Sequence, residues 1–247
     1  MKVLMLFSGD DKAFKDSGYM YPKNLTEIDG LPMIQRVLQS FDGILNETDE
    51  ILLTMRRQEI EHYHTSAVAK LLYPDIKIVS IPNITKGAAC AVLLAVGSID
   101  NDDELVVING DIIIEQSLEP AITDFRERNL DGGVVTFESV HPRWSFVKCD
   151  EEGQIIEATE KRPISKNATV GFYYFKHGKD YVEAAENMIR KDASVNGSFY
   201  ICPVFNELVL RQKKLGIYQI DRENYFSLAN PQGVEIYQKH LEEYDDN

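Results

Sequence analysis

Four short segments hold the residues whose types and spacing could handle phosphates. The first is Ser8 to Lys23, which follows the apolar run Lys2–Phe7 and contains Gly9, Lys12, Lys15, Gly18 and Lys23. Backbone amides freed by glycine and lysine ammonium groups both stabilise anions. The segment carries no Walker or dinucleotide glycine pattern, and an exposed loop that meets a partner is the competing reading. The second is Thr85-Lys86-Gly87-Ala88-Ala89. A glycine and small residues at a helix start let a ligand approach the backbone, or let helix and sheet pack closely. The third is Asn109-Gly110-Asp111. A carboxylate at a strand end can reach a metal in a cleft, and Mg²⁺ takes one or two carboxylates plus substrate phosphates. A turn cap is the alternative. The fourth is Glu160-Lys161-Arg162-Pro163, where neighbours in an extended segment point to opposite faces. One residue could accept hydrogen bonds from hydroxyls while another pairs a phosphate; a solvated charged turn is the alternative.

Other chemistries find less support. His62 and His64 lie two apart on an expected helix, about 200° around its axis, and do not converge on a metal. No Ser-His-Asp or Cys-His spacing supports a nucleophile. Cys90, Cys149 and Cys202 are far apart and odd in number, which points to a reducing, cytoplasmic setting. Trp144, the only tryptophan, reads as a core aromatic or as a wall of a substrate pocket.

The elements that must position these segments alternate in the first half. Strands are expected at 2–7, 50–55, 76–81 and 105–108, and helices at 31–45, 58–72, 88–96 and 118–128. Such alternation builds a parallel sheet, whose ligands sit beyond the carboxyl ends of the strands. The second half shifts to short strands at 133–137, 146–149, 154–156 and 168–175, with Asp150–Gly153 as a hairpin turn. Helices follow at 181–191, 203–213 and 231–244, and a frayed tail is expected over 242–247. The fold class is therefore α/β, a mostly parallel central sheet with a mixed extension.

Composition narrows the function. The chain has 247 residues, 44 % of them hydrophobic and 27 % charged, an ordinary globular mix. Its 26 basic and 40 acidic residues give a net charge of −14, which argues against non-specific nucleic-acid binding and against an anionic membrane surface. No run of about 18 apolar residues exists, so membrane insertion is not expected. The apolar start ends at Ser8-Gly9-Asp10-Asp11, unlike a signal-peptide cleavage region.

The motifs occur in an order that resembles the sugar-phosphate nucleotidyltransferases of the nucleotide-diphospho-sugar transferase superfamily. The likeness is nearest to a bacterial branch of capsule and surface-polysaccharide proteins. It rests on Gly18-Tyr19-x-x-Pro22-Lys23-x-Leu25 with Gly30-x-Pro32-Met33, on Lys86-Gly87-Ala88-Ala89, and on Asp111. It extends through His141-Pro142-x-Trp144-Ser145, Glu160-Lys161-x-Pro163, Ala168-Thr169-Val170-Gly171 and Asn196-Gly197-x-Phe199-Tyr200. The resemblance implies a Rossmann-like fold of GT-A type in a single domain over 1–247. About 1–130 would bind nucleotide and about 131–247 the second substrate. It implies Lys23, Asp111 and Lys12 as catalytic residues, and Phe7, Ser8, Gly9, Lys86, Gly87, Asn109 and Gly110 around the nucleotide. Trp144, Glu160, Lys161, Arg162, Gly171, Asn196 and Tyr200 would bind the second substrate, and Asp111 with Asn230 would hold Mg²⁺. The implied partners are a nucleoside triphosphate and a sugar phosphate or related phosphate. A homo-oligomer is left open.

Two departures stand out. Relatives carry Gly-x-Gly-Ser/Thr-Arg in the first loop, whereas here the second glycine is Asp11 and the arginine position is Ala13. An aspartate pair beside a triphosphate is expected to repel it. The second metal carboxylate is absent as well, with Ser227 or Asn230 in its place. The alternatives are a catalytically weak nucleotide-binding relative with a regulatory or scaffold role, and a glycosyltransferase using a nucleotide sugar. The latter usually shows Asp-x-Asp where Asn109-Gly110-Asp111 stands.

Overall fold

The computed structural model describes residues 1–45, 48–82 and 84–245. The strands in chain order are β1 (Lys2–Leu6), β2 (Glu27–Ile28), β3 (Leu31–Pro32), β4 (Glu50–Arg56), β5 (Lys77–Ile81), β6 (Leu105–Asn109) and β7 (Ile112–Ile114), then β8 (Gly132–Glu138), β9 (Ser145–Cys149), β10 (Ile155–Glu160), β11 (Asn167–Phe175), β12 (Leu215–Gln219) and β13 (Tyr225–Ser227).

β1 sits in the middle of the main sheet. It pairs in parallel with β4 on one side and β6 on the other, so that Met5 faces Leu53 and Ile108. β5 lies outside β4. The chain thus runs outward from β1 to β5 and then returns to the other side of β1, which places the switch in strand order between β1 and β6. A crevice opens at such a point because the flanking connections leave in opposite directions. Both faces of β1 are buried. Val3, Met5 and Phe7 pack with Ile34 and Val37 on one face, while Leu4 packs with Ala89 and Val92 on the other. Two buried faces make a strand read as a continuous apolar run, which is why it was visible in the sequence.

The second half attaches through β11, which runs antiparallel to β6 and β8 and, at Ala168, meets Phe146 of β9. The register of β11 against β8 shifts between Thr169 and Tyr173, around Gly171 at φ +86°. β9 and β10 form the expected hairpin.

The structure departs from the sequence pattern at several breaks. The helix expected over 31–45 spans only Met33–Ser40, followed by a 3₁₀ turn at Asp42–Ile44. Asp and Gly are weak helix formers, and the short turn takes over. The helix expected over 58–72 is two, Arg57–Tyr63 and Thr65–Leu72, divided by His64 at φ 53°. The helix expected over 88–96 is likewise two, Ala88–Leu93 and Val96–Ile99. The pairing of β7 with β13, unmarked in the sequence, brings the C-terminal region against Asp111. The last helix, Pro231–Asp245, runs through most of the tail expected to fray; 246–247 lie outside the described residues.

Candidate active site

Lys23, at the end of the first segment, is only 5 % exposed. Pro22 opens a 3₁₀ turn, Lys23–Leu25, that turns the lysine inward. Its Nζ donates to Asp111 Oδ2 at 2.8 Å; Asp111 lines the cleft and Lys23 itself does not. A Cβ at Gly9 would lie 3.2 Å from that Nζ, so the glycine leaves room for the lysine. Asn24 anchors the turn: its Nδ2 donates to the Phe7 carbonyl at 2.7 Å and to Glu59 Oε2 at 2.8 Å. Phe7 is a buried core residue, and the Ser8 hydroxyl meets that of Thr54 at 3.0 Å.

Asp11 corrects the expectation of a repulsive aspartate pair. Its carboxylate is 3 % exposed and is gripped at both oxygens by Arg56, at 3.1 and 2.8 Å, with Lys15 at 3.1 Å. Burial alone would raise its pKa, but the hydrogen bonds from Arg56 and Lys15 outweigh burial and hold it below the ordinary 3.8. Arg56 Nε also donates to Glu59 Oε1 at 2.7 Å. Burial raises the Glu59 carboxyl, against the pull of Arg56 and Asn24. A continuous network therefore links Asp11, Arg56, Glu59, Asn24 and the end of β1. Asp10, not Asp11, lines the cleft. Lys12 is exposed, pairs with Asp16 at 3.4 Å and does not line the cleft, contrary to the catalytic place expected for it.

The cleft has a volume of about 490 Å³ and holds Ser8, Gly9, Asn109, Asp111, Gly171 and Glu160 in one space. Gly171 is required there, because a Cβ would lie 2.4 Å from Asn109 Nδ2. Gly110 serves packing: a Cβ would strike the Leu6 carbonyl at 2.4 Å, and the residue does not line the cleft. Gly87 lines the cleft at φ +114°, but its close neighbour is backbone, with a Cβ 2.3 Å from the Phe199 carbonyl. Lys86 is exposed; its carbonyl accepts from Phe199 N at 2.7 Å.

In the second half, Glu160 accepts from the Ser145 hydroxyl on the floor of the cleft. Burial raises its carboxyl above the usual range, while Ser145 and Lys161 pull the other way. Trp144 is both wall and packing element, edge-on to Phe137 and Tyr225 with centroids 5.4 and 5.5 Å apart. Tyr200 lines the cleft, with Lys161 Nζ 3.3 Å from its hydroxyl and 5.3 Å from its ring centroid.

Three residues expected here are used elsewhere. Arg162 pairs with Glu157 at 2.7 Å and does not line the cleft. Asn196 and Gly197, at φ 50° and 76°, form the tight turn between Val195 and Ser198, a backbone task for which Asn-Gly is suited. Ser198 is the cleft residue of that turn. Asn230 Oδ1 accepts from Gly233 N at 2.9 Å at the start of the last helix, so it caps rather than reaches a metal; Ser227 and Ala229 line the cleft instead.

The donors present suit Mg²⁺ held partly by substrate. Asp111 Oδ2 is taken by Lys23, Oδ1 has no protein partner among the described residues, and Asp10 lines the same cleft. One or two carboxylates, completed by phosphate and water, is an ordinary Mg²⁺ set. Among the described residues no group of three or more His, Cys, Asp or Glu stands close enough to cage a metal unaided.

Sequence reasoning missed Arg143, which lines the cleft, and Arg56, which sits beneath the first loop. The position of Arg143 next to the only tryptophan, inside a recognised motif, was a usable signal. Arg56 offered none.

The fold thus builds an α/β protein with a switch-point crevice lined by Asp10, Asp111 and Glu160, with Lys23 paired to Asp111. The nucleotidyl transferase family profile matches residues 17–208, and the chain belongs to that family. It is 25 % identical over 218 residues to the bifunctional protein GlmU of Methanocaldococcus jannaschii, covering 88 % of this chain and 49 % of that protein. It is 26 % identical over 181 residues to the GlmU of Methanococcus aeolicus, covering 72 % of this chain and 40 % of that protein. The chain thus spans about half the length, or less, of these curated relatives. Its fold is shared by the nucleoside-diphosphate-sugar pyrophosphorylase of Vibrio cholerae RC9, with a TM-score of 0.84 and 23 % identity over 97 % of this chain and all of that one. A UDP-glucose pyrophosphorylase solved with UDP-glucose superposes with a TM-score of 0.78 and 16 % identity, covering 100 % of this chain and 99 % of that one.

Proposed function

We propose that the chain is a Mg²⁺-dependent nucleotidyltransferase. It joins a nucleoside triphosphate to a sugar phosphate or related phosphate and releases pyrophosphate, in the making of capsule or surface polysaccharide. The observation that carries this reading is Asp111 and Glu160 in one cleft, with the buried Lys23 paired to Asp111 at 2.8 Å.

In this reading the nucleotide lies over Ser8–Asp10 and Asn109, with residues about 1–130 forming the nucleotide half and about 131–247 the other. Lys23 places its ammonium beside the α-phosphate and stabilises the charge that develops as the second substrate's phosphate oxygen attacks. Asp111 would hold Mg²⁺, which when bound neutralises triphosphate charge. Glu160, kept in place by Ser145, accepts hydrogen bonds from substrate hydroxyls, and Trp144 and Tyr200 form the walls. Little covalent chemistry falls to the protein; positioning and charge stabilisation provide the acceleration. The three free thiols, Cys90, Cys149 and Cys202, suit a reducing cytoplasm.

The altered first loop does not by itself favour an inactive relative, because Asp11 is neutralised beneath the loop. The test is incubation with each of the four nucleoside triphosphates, Mg²⁺ and a panel of sugar phosphates. Pyrophosphate release with at least one pair is expected. No release with any pair, alongside nucleotide binding, would favour the non-catalytic reading. Sugar transfer from a nucleotide sugar without pyrophosphate release would favour a glycosyltransferase.

A further inference from the structure

Two exposed arginines, Arg143 lining the cleft and Arg222 on the aromatic residues beside it, have no acid partner among the described residues, in a chain with 40 acidic and 26 basic residues. Arg143 lines the cleft with its guanidinium carbon 4.2 Å from the Trp144 ring centroid. Arg222 lies over Phe137 and Tyr225, at 5.1 and 5.5 Å. Those three rings form one cluster: Trp144 meets both others edge-on, and Phe137 stacks on Tyr225 at 5.1 Å. The two guanidiniums are therefore seated on a common aromatic base. Arg222 NH1 donates to the Tyr225 carbonyl at 2.6 Å, which fixes the side chain. Among the described residues, neither arginine has a carboxylate within ion-pair distance. Burial depresses the Arg222 guanidinium, and the charge of Arg143 depresses it further.

Two positive charges seated on one aromatic cluster, with no carboxylate partner among the described residues, form a local field that attracts an anion. The aromatic base holds both guanidiniums, and the N–H groups of Arg143 and those of Arg222 not given to the Tyr225 carbonyl remain for an oxyanion. The rest of the cleft lining points to the same answer. Asp10, Asp111 and Glu160 are its carboxylates, and Arg143 is the only Lys, Arg or His among the described lining residues.

We propose that Arg143 and Arg222 form an oxyanion site on the Trp144–Phe137–Tyr225 base that takes a phosphate monoester group. The assignment of that phosphate to the second substrate rests on the function proposed above; the oxyanion site itself does not. The phosphate contact expected from Lys161 or Arg162 is thereby moved in large part to Arg143. Lys161 is exposed, is held against Tyr200 and does not line the cleft.

The sole tryptophan lies directly under Arg143 and provides the readout. The full chain is titrated with inorganic phosphate, without metal, while Trp144 fluorescence is followed; sodium chloride at matched ionic strength is the control. Wild type should show a saturable change that chloride does not reproduce. The half-saturation concentration should rise by about tenfold or more in Arg143→Met and in Arg222→Met, the loss expected for one charge-assisted contact. Arg143→Lys keeps the charge but not the fork and should fall between, which guards against misfolding in the methionine variants. Nucleotide affinity measured without metal should change by less than about twofold, since these arginines lie on the other substrate's side. An equal phosphate response in wild type and all three variants, or a response matched by chloride, overturns the proposal. Pyrophosphate release with a null phosphate titration would refute the arginine site alone. A positive titration with no pyrophosphate release from any pair would refute the proposed reaction and leave the site standing.

Discussion

Replacing Asp11 by alanine tests whether the altered first loop is eroded or anchored. The carboxylate is 3 % exposed and takes two contacts from Arg56, at 2.8 and 3.1 Å, and one from Lys15 at 3.1 Å. Breaking a buried ion pair by removing one partner costs about 3–5 kcal/mol, because the other charge is left uncompensated. Arg56 keeps Glu59 at 2.7 Å, which reduces the cost; about 2–3 kcal/mol remains. For a chain of this size each kcal/mol moves the melting temperature by roughly 2–4 °C, so a fall of roughly 4–12 °C is expected. The pH dependence provides a second check. The folded pKa of Asp11 lies below its ordinary 3.8, so its contribution is present above that value and is lost as pH falls through the folded pKa. The gap between wild type and Asp11→Ala in urea denaturation should therefore be wide at pH 7 and close on acidification. By the same reasoning Asp11→Gly with Ala13→Arg, which restores the relatives' loop pattern, should lose stability and gain no turnover. A melt within about 2 °C of wild type, or a gap that does not change with pH, would refute the argument that Asp11 is a structural anchor.

Lys23→Ala should lower turnover by about 10²-fold or more, the value of one charge-stabilising donor in a transition state, and cost only about 1 kcal/mol of stability because Asp111 faces the cleft and can take water. Initial rates and a urea curve on the same preparation check both halves. Asp111→Asn should weaken Mg²⁺ binding in the presence of nucleotide more than it weakens nucleotide binding without metal, as calorimetry would read; unchanged Mg²⁺ affinity would make Asp111 a turn cap. Gly171→Ala should cost about 1–3 kcal/mol, from the left-handed backbone and from a Cβ driven into Asn109, and should weaken nucleotide binding through that asparagine. Glu160 titrates above the usual carboxylate range through burial. Binding of the hydroxylated substrate should therefore weaken as pH falls through that raised pKa, and Glu160→Gln should flatten this acid limb of the KM profile.

The amino-acid sequence by itself determined the alternating architecture. β1 and β6 are buried on both faces, so they appear as unbroken apolar runs. The β9–β10 hairpin was marked by its Asp-Glu-Glu-Gly turn. Lys23, Asp111 and Glu160 could be singled out by type and order, because each stands at or near an element boundary. The tertiary structure alone decided which polar groups meet. Arg56 lies 45 residues from Asp11, and Arg222 lies far along the chain from the Trp144 cluster it shares with Arg143. No local periodicity encodes such pairs; they follow from which strand ends the sheet order brings together. The same holds for Asn196 and Asn230. Their residue type suits a ligand contact, a tight turn or a helix cap equally well, and only the positive φ of one and the Gly233 amide beside the other assigned them to backbone tasks. A carboxylate next to a phosphate loop reads as repulsion from sequence, since charge is written there without direction. At Asp11 the fold turned that charge inward, onto a guanidinium delivered by a neighbouring strand.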